Sequence, residues 1–226
     1  MNIFSYVYYY VGYFFAAHHV VHEHGPPTTL YYPESFPELQ NYQDAWAFLN
    51  NTVGMALLYR TFGTEVNCPG GARCVWMKRL QVNESEKTFL GEVSVYCNDT
   101  RRSMNLTLKA MTLEGYNVST FFSLTEHPGA RKEYLPVAYQ EPGKCVIVRH
   151  PYKYTEMRYA CNLWVSLSTL EKNNHTAPKR CIIMYDYLCE ATKQEMFGED
   201  CMNKTKESGE IKSSTEPRGG TTATSA

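Results

Sequence analysis

Between residues 53 and 167, apolar and polar side chains alternate in short runs rich in β-branched and aromatic types. The runs fall near 53–62, 73–83, 88–97, 103–113, 116–125, 134–140, 144–150 and 158–167. Turn signals separate them: Pro69, Gly70 and Gly71, then Asn83 to Ser85, Asn98 and Asp99, Glu114 and Gly115, Pro128 and Gly129, Pro142 and Gly143, and Pro151. Eight strands in simple succession predict a mainly β protein, an eight-stranded antiparallel up-and-down barrel. Closing the sheet removes its exposed edges, and eight strands leave an interior wide enough for one small ligand.

The flanks read differently. Ala45, Trp46 and Leu49 follow Tyr42 at helical spacing, which predicts a short N-terminal helix over 42–50. Pro178 is a helix-start signal, and Cys181, Met184, Tyr185, Leu188 and Cys189 then recur at i, i+3, i+4, i+7 and i+8. An apolar stripe carrying two cysteines marks a C-terminal helix fastened to the outer wall. Residues 1–25 read as a signal or leader segment, although no basic residue precedes the apolar run. Residues 26–40 read as a Pro-rich arm, 41–201 as the barrel domain and 202–226 as a disordered tail.

Composition narrows the function. Lys and Arg total 22 against 23 Asp and Glu, a net charge of −1, so no field of one sign recruits nucleic acid or an anionic membrane. Eighteen Tyr and ten Phe suit a ring-lined pocket. Eight cysteines, an even number without C-x-x-C pairs, point to disulfides in an oxidising compartment and away from zinc. Glycosylation sequons begin at Asn50, Asn83, Asn98, Asn105, Asn117, Asn174 and Asn203, seven of the thirteen asparagines, which argues for a secreted glycoprotein. His18, His19, His22 and His24 lie in the leader segment, beside its expected cleavage site, and are not read as a metal site. His127, His150 and His175 have no motif pairing them with a nucleophile, so no catalytic residue, cofactor or metal is expected, and the chain is read as a monomeric non-enzyme.

The sequons also set the strand register. Alternation puts Met104, Leu106, Leu108 and Ala110 on one face of the fourth strand and Asn105 on the other. In the fifth, Val118, Thr120, Phe122 and Leu124 oppose Asn117. A glycan must face water, so both asparagines select the apolar sets as the interior.

In its motifs the chain resembles the tick salivary histamine-binding protein family, a divergent branch of the lipocalins. The likeness rests on Gln43, Asp44, Ala45 and Trp46 in the first helix, on Leu58 to Phe62 in the first strand, and on Cys74 and Val75 opening the second. Gly115, Tyr116 and Asn117 entering the fifth strand, Cys145 to Val148, Leu163 to Val165 and the terminal cysteines continue it, from about residue 41 to Cys201. The resemblance implies a lipocalin barrel, secretion in tick saliva and sequestration of host inflammatory mediators. It also implies two disulfides, Cys74 with Cys201 and Cys145 with Cys181. Alternation turns Cys161 outward, opposite Asn162 and Trp164, so Cys161 is paired by inference with Cys189, leaving Cys68 with Cys97.

For the ligand, the resemblance implies carboxylates and rings inside the barrel, since a buried ammonium is costly unless paired and aromatic faces attract it. Glu65 matches one acidic position, and Phe62, Phe122, Tyr134 and Trp164 fall at or near ring positions. Asn162, Leu106 and Val146 stand where acidic residues are expected. Two readings stay open: a biogenic amine such as histamine or serotonin, or a fatty acid or leukotriene in a neutral cavity, its carboxylate met by Arg60, Lys78 or Arg79. A third is a complement-type inhibitor acting on a host protein. The expected lining is Phe62, Glu65, Leu106, Phe122, Tyr134, Asn162 and Trp164, while Trp46 and Trp76 are read as core.

Overall fold

In the computed structural model, residues 32–62, 68, 71–126, 132–155, 158–189 and 193–207 are described. The alternating segments form β1 (Gly54–Arg60), β2 (Ala72–Asn83), β3 (Thr88–Cys97), β4 (Thr100–Met111), β5 (Phe121–Thr125), β6 (Glu133–Glu141), β7 (Cys145–Thr155) and β8 (Arg158–Ser166). Each pairs antiparallel with the next, and β8 returns to β1, which also pairs with β2. The barrel is therefore closed. Asn98 and Asp99 link β3 to β4 with φ of 49° and 61°, a left-handed turn these side chains tolerate and a hairpin twist favours.

Closure is completed by a segment the alternation did not reveal. β1 and β2 pair only through Gly54–Ala56 and Trp76–Lys78, then diverge. A two-residue strand, β9 (Gln194–Glu195), fills the gap by pairing with Tyr59 and Arg60. Beside it, the Met196 amide donates to the Leu58 carbonyl at 2.9 Å, and the Cys74 amide donates to the Met196 carbonyl at 2.7 Å. Cys74 has φ of 49° at an irregularity in β2, a conformation that costs a non-glycine residue about 1–2 kcal/mol and that its disulfide and this hydrogen bond hold in place.

The fold has two hydrophobic layers, one on each side of the barrel wall. Inside, Met55, Met77, Phe89, Leu106, Leu108, Phe122 and Val148 meet Phe48 and Leu49 of α1 (Ala45–Asn50), which crosses one end. Asp44 caps α1 by accepting from the amides of Trp46 and Ala47, so the helix starts after the expected Tyr42. Residues 33–35 and 37–42 are 3₁₀ turns, each begun by a proline, where an arm without periodicity was expected. Gly91 admits the Met77 side chain, since a Cβ there would lie 2.7 Å from it.

Outside, α2 (Leu167–Lys172), α3 (Lys179–Cys189) and α4 (Glu199–Glu207) follow the last strand. The predicted stripe of α3 is buried at Cys181, Tyr185, Leu188 and Cys189, in one cluster with Ala138, Ile147 and Leu163 of the outer wall. A fully buried side chain of this size contributes about 1.5–3 kcal/mol. Trp76 belongs to this outer layer, stacked on Tyr96 at 5.8 Å with Arg101 above it. The tail expected from residue 202 is corrected in part: α4 runs to Glu207, and Met202 and Thr205 are fully buried because Cys201 fastens that turn to Cys74.

All four bridges pair as expected: Cys68–Cys97, Cys74–Cys201, Cys145–Cys181 and Cys161–Cys189. No helix among the described residues is long and apolar enough to cross a membrane. Asn105 and Asn117 are exposed, as are Asn50, Asn98, Asn174 and Asn203, while Asn83 is half-buried. The fifth strand is shorter than expected, Phe121–Thr125 rather than 116–125. The chain at Asn117 bonds instead to the N-terminal arm, its amide donating to Gln40 Oε1 at 2.6 Å. The leader with its four histidines, the 208–226 tail, Glu65, and His127 lie outside the described residues.

Candidate functional site

Where the strands pass above α1, the inward faces enclose a cavity of about 100 Å³. Its floor is Phe48 and Leu49, and its walls include Met55, Met77, Leu108 and Phe122. On the far side β7 and β8 run in register, so Val146 pairs with Trp164 and Val148 with Asn162 on one face, and all four line the cavity. The opposite face of β8 carries Cys161, Leu163 and Val165, all buried in the outer layer. The alternation read from sequence holds through this strand.

Among the described residues the lining is apolar except at one place. Asn162 and His150 both reach the cavity, and Asn162 Nδ2 lies 2.8 Å from His150 Nε2. Asn162 is only 6% exposed, and its Oδ1 is buried without a hydrogen-bond partner among the described residues. A buried acceptor left unsatisfied costs about 1–3 kcal/mol, so this atom is the chemically most pointed feature of the wall.

Above the pair, toward the end of the barrel away from α1, the Phe62 ring lies 5.0 Å from the His150 ring, and Arg60 lies 5.6 Å from the Phe62 centroid. Arg60 pairs across strands with Asn162 and is 2% exposed, its Nε donating to Gln194 Oε1 at 2.9 Å. A chain of contacts thus runs from Gln194 of β9 through Arg60 and the Phe62 ring to His150 at the cavity.

The expected site residues separate. Phe122, Asn162 and Trp164 line the cavity, as does Val146. Leu106 is buried in the inner layer without reaching the cavity wall, and Phe62 touches the cavity only through His150. Tyr134 is a correction: it is 42% exposed and packs edge-on against Phe121, while its neighbour Leu135 faces inward. The connection before β6 has no alternation to fix the phase, so the register was set one residue off. Lys78 and Arg79 do not line the cavity, whereas Arg60 stands beside it. His150 was missed as a lining residue, although two-residue spacing from Val146 and Val148 places it on the same face.

A closed eight-stranded up-and-down barrel with an internal cavity, a short helix across one end and a helix against the outer wall defines a lipocalin. The chain belongs to the tick histamine-binding protein family, whose model matches residues 33–203. Among solved structures, AM182 in its serotonin complex aligns with a TM-score of 0.50 at 14% identity, covering 70% of this chain and 92% of that one. Insecticyanin from the tobacco hornworm aligns at 0.47 and 14% identity, over 70% and 83% of the two chains. Lobster apocrustacyanin A1 aligns at 0.47 and 10% identity, with the same coverages of 70% and 83%. No curated protein matches the chain in sequence. Family and fold are those of small-ligand carriers rather than enzymes.

Proposed function

We propose that this protein is a secreted lipocalin that sequesters a small host mediator, a biogenic amine such as histamine or serotonin, and so suppresses inflammatory defence at a tick bite. The observation that carries this reading is the internal cavity of about 100 Å³, ring-lined by Trp164, Phe122 and Phe48 and, among the described residues, polar only at His150 and Asn162. An apolar cavity of about 150 Å³ takes up a benzene, so the space suits one aromatic ring, with Met55 and Met77 flexible enough to yield. Secretion, a cleaved leader, glycans on the sequon asparagines and a monomeric state accompany the proposal; four disulfides support the oxidising compartment.

The neutral wall favours the second reading in one respect, since no carboxylate lines the cavity among the described residues. Its size favours a single ring instead, because about 100 Å³ is small beside the several hundred Å³ typical of pockets for larger ligands. Calorimetric titration with histamine, serotonin and a leukotriene separates the two. The expected result is saturable heat with at least one amine; absence of heat with both ends the amine reading.

A further inference from the structure

We propose that the cavity reads a hydrogen-bond donor on an uncharged aromatic ring, with Asn162 as the specificity-determining residue, and that any ammonium group of the ligand stays outside it. The inference rests on the carrier reading and states which end of the ligand the barrel holds.

Three features meet here. The described lining consists of apolar side chains plus His150 and Asn162, with no carboxylate to pair an ammonium, and an unpaired buried charge is strongly disfavoured. Asn162 is 6% exposed, and its Oδ1 is buried with no hydrogen-bond partner among the described residues, so the wall holds an acceptor that a donor on an occupant would satisfy. The other end of the amide lies 2.8 Å from His150 Nε2, with the Phe62 ring 5.0 Å from that imidazole; with the imidazole proton on Nδ1, Nε2 accepts from Asn162 Nδ2 and leaves Oδ1 without a donor. Trp164, two residues further on the same strand face, supplies a flat surface beside the acceptor. A ring O–H or N–H satisfies the acceptor without bringing in charge. A site built to accept a hydrogen bond discriminates against analogues that lack the donor more sharply than an apolar site discriminates by size.

The test uses the full chain, with its disulfides formed, and a series of one-ring probes titrated by calorimetry and by Trp fluorescence at neutral pH. Phenol and toluene have nearly the same shape and differ in the donor; benzylamine carries the ammonium. Phenol is expected to bind about tenfold tighter than toluene, and benzylamine at least tenfold weaker than phenol. Asn162→Leu removes the acceptor at similar volume and is expected to reverse the order of phenol and toluene; if that variant does not fold, the wild-type ranking decides alone. Toluene binding as tightly as phenol, or benzylamine binding tighter than phenol, overturns the inference while leaving the carrier reading intact. No binding of any probe, together with no heat from the amines, overturns both.

Discussion

Arg149 projects from the outer face of β7 and is 1% exposed, so its charge must be answered locally. Its Nε donates to Glu34 Oε1 at 2.7 Å, its Nη1 donates to the Leu188 carbonyl at 2.9 Å and approaches Cys161 Sγ, and its guanidinium lies 5.1 Å from the Tyr32 ring. One side chain thus ties the N-terminal arm and the end of α3 to the barrel wall. Removing one partner of a buried pair strands the other charge and costs about 3–5 kcal/mol, whereas replacing both with apolar residues is often neutral. Arg149→Met is therefore expected to lower stability by that amount in urea denaturation, and the Arg149→Met, Glu34→Leu double variant to recover most of it. Equal losses in both variants would show that Arg149 contributes packing alone.

The strands of the barrel were legible because a wall with two faces writes a period of two into its sequence. β4 and β8 show this best: exposed Asn105 fixed one phase, and Cys161 opposite Asn162 and Trp164 fixed the other. Tyr134 was misread where a loop reset the phase, and β9 was invisible because two residues hold no period. α4 was hidden because its Lys, Thr and Glu residues resemble a solvated tail, and past Cys201 only Met202 and Thr205 are fully buried. Asn162 and Val146, which stand where acidic residues were expected, do line the cavity, yet the acceptor at Asn162 became visible only once its neighbours were in place.

On α3 the stripe carries a titratable consequence. Tyr185 is 1% exposed, and its Oη is buried without a hydrogen-bond partner among the described residues. Burial first, then the nearby Asp186 and Tyr59, push its phenol well above the ordinary value of about 10. The neutral phenol is favoured in the fold, so this contribution to stability is complete below about pH 10 and is lost as the pH rises toward the folded value. Burial together with the hydrogen bond to Glu141 acts in the same direction on Tyr139. Tyr185→Phe removes this unsatisfied hydroxyl, so it is expected to be at least as stable as the wild type at pH 7 and to lose less stability between pH 9 and pH 11, measured by thermal melts. A variant that melts in parallel with the wild type across that range would refute the assignment.

Four bridges join distant parts of one chain, and their contributions differ with the loop each closes. Cys74–Cys201 spans 127 residues and Cys161–Cys189 spans 28. The chain-entropy model assigns them roughly 5 and 3.5 kcal/mol. Replacing both cysteines of the longer bridge with serine is expected to lower Tm by about 10–20 °C, more than the same change at the shorter one. The reverse order in calorimetric melts would mean that local packing, rather than chain entropy, governs these links.

The gap between β1 and β2 makes the container dependent on residues synthesised after all eight of its main strands. Until Gln194 to Met196 leave the ribosome, the Leu58 carbonyl and the Cys74 amide lack the partners they have in the finished wall. Without those residues the seam is held only where Gly54–Ala56 pair with Trp76–Lys78; the late stave extends it past Leu58, and the bridge from Cys201 to Cys74 locks it.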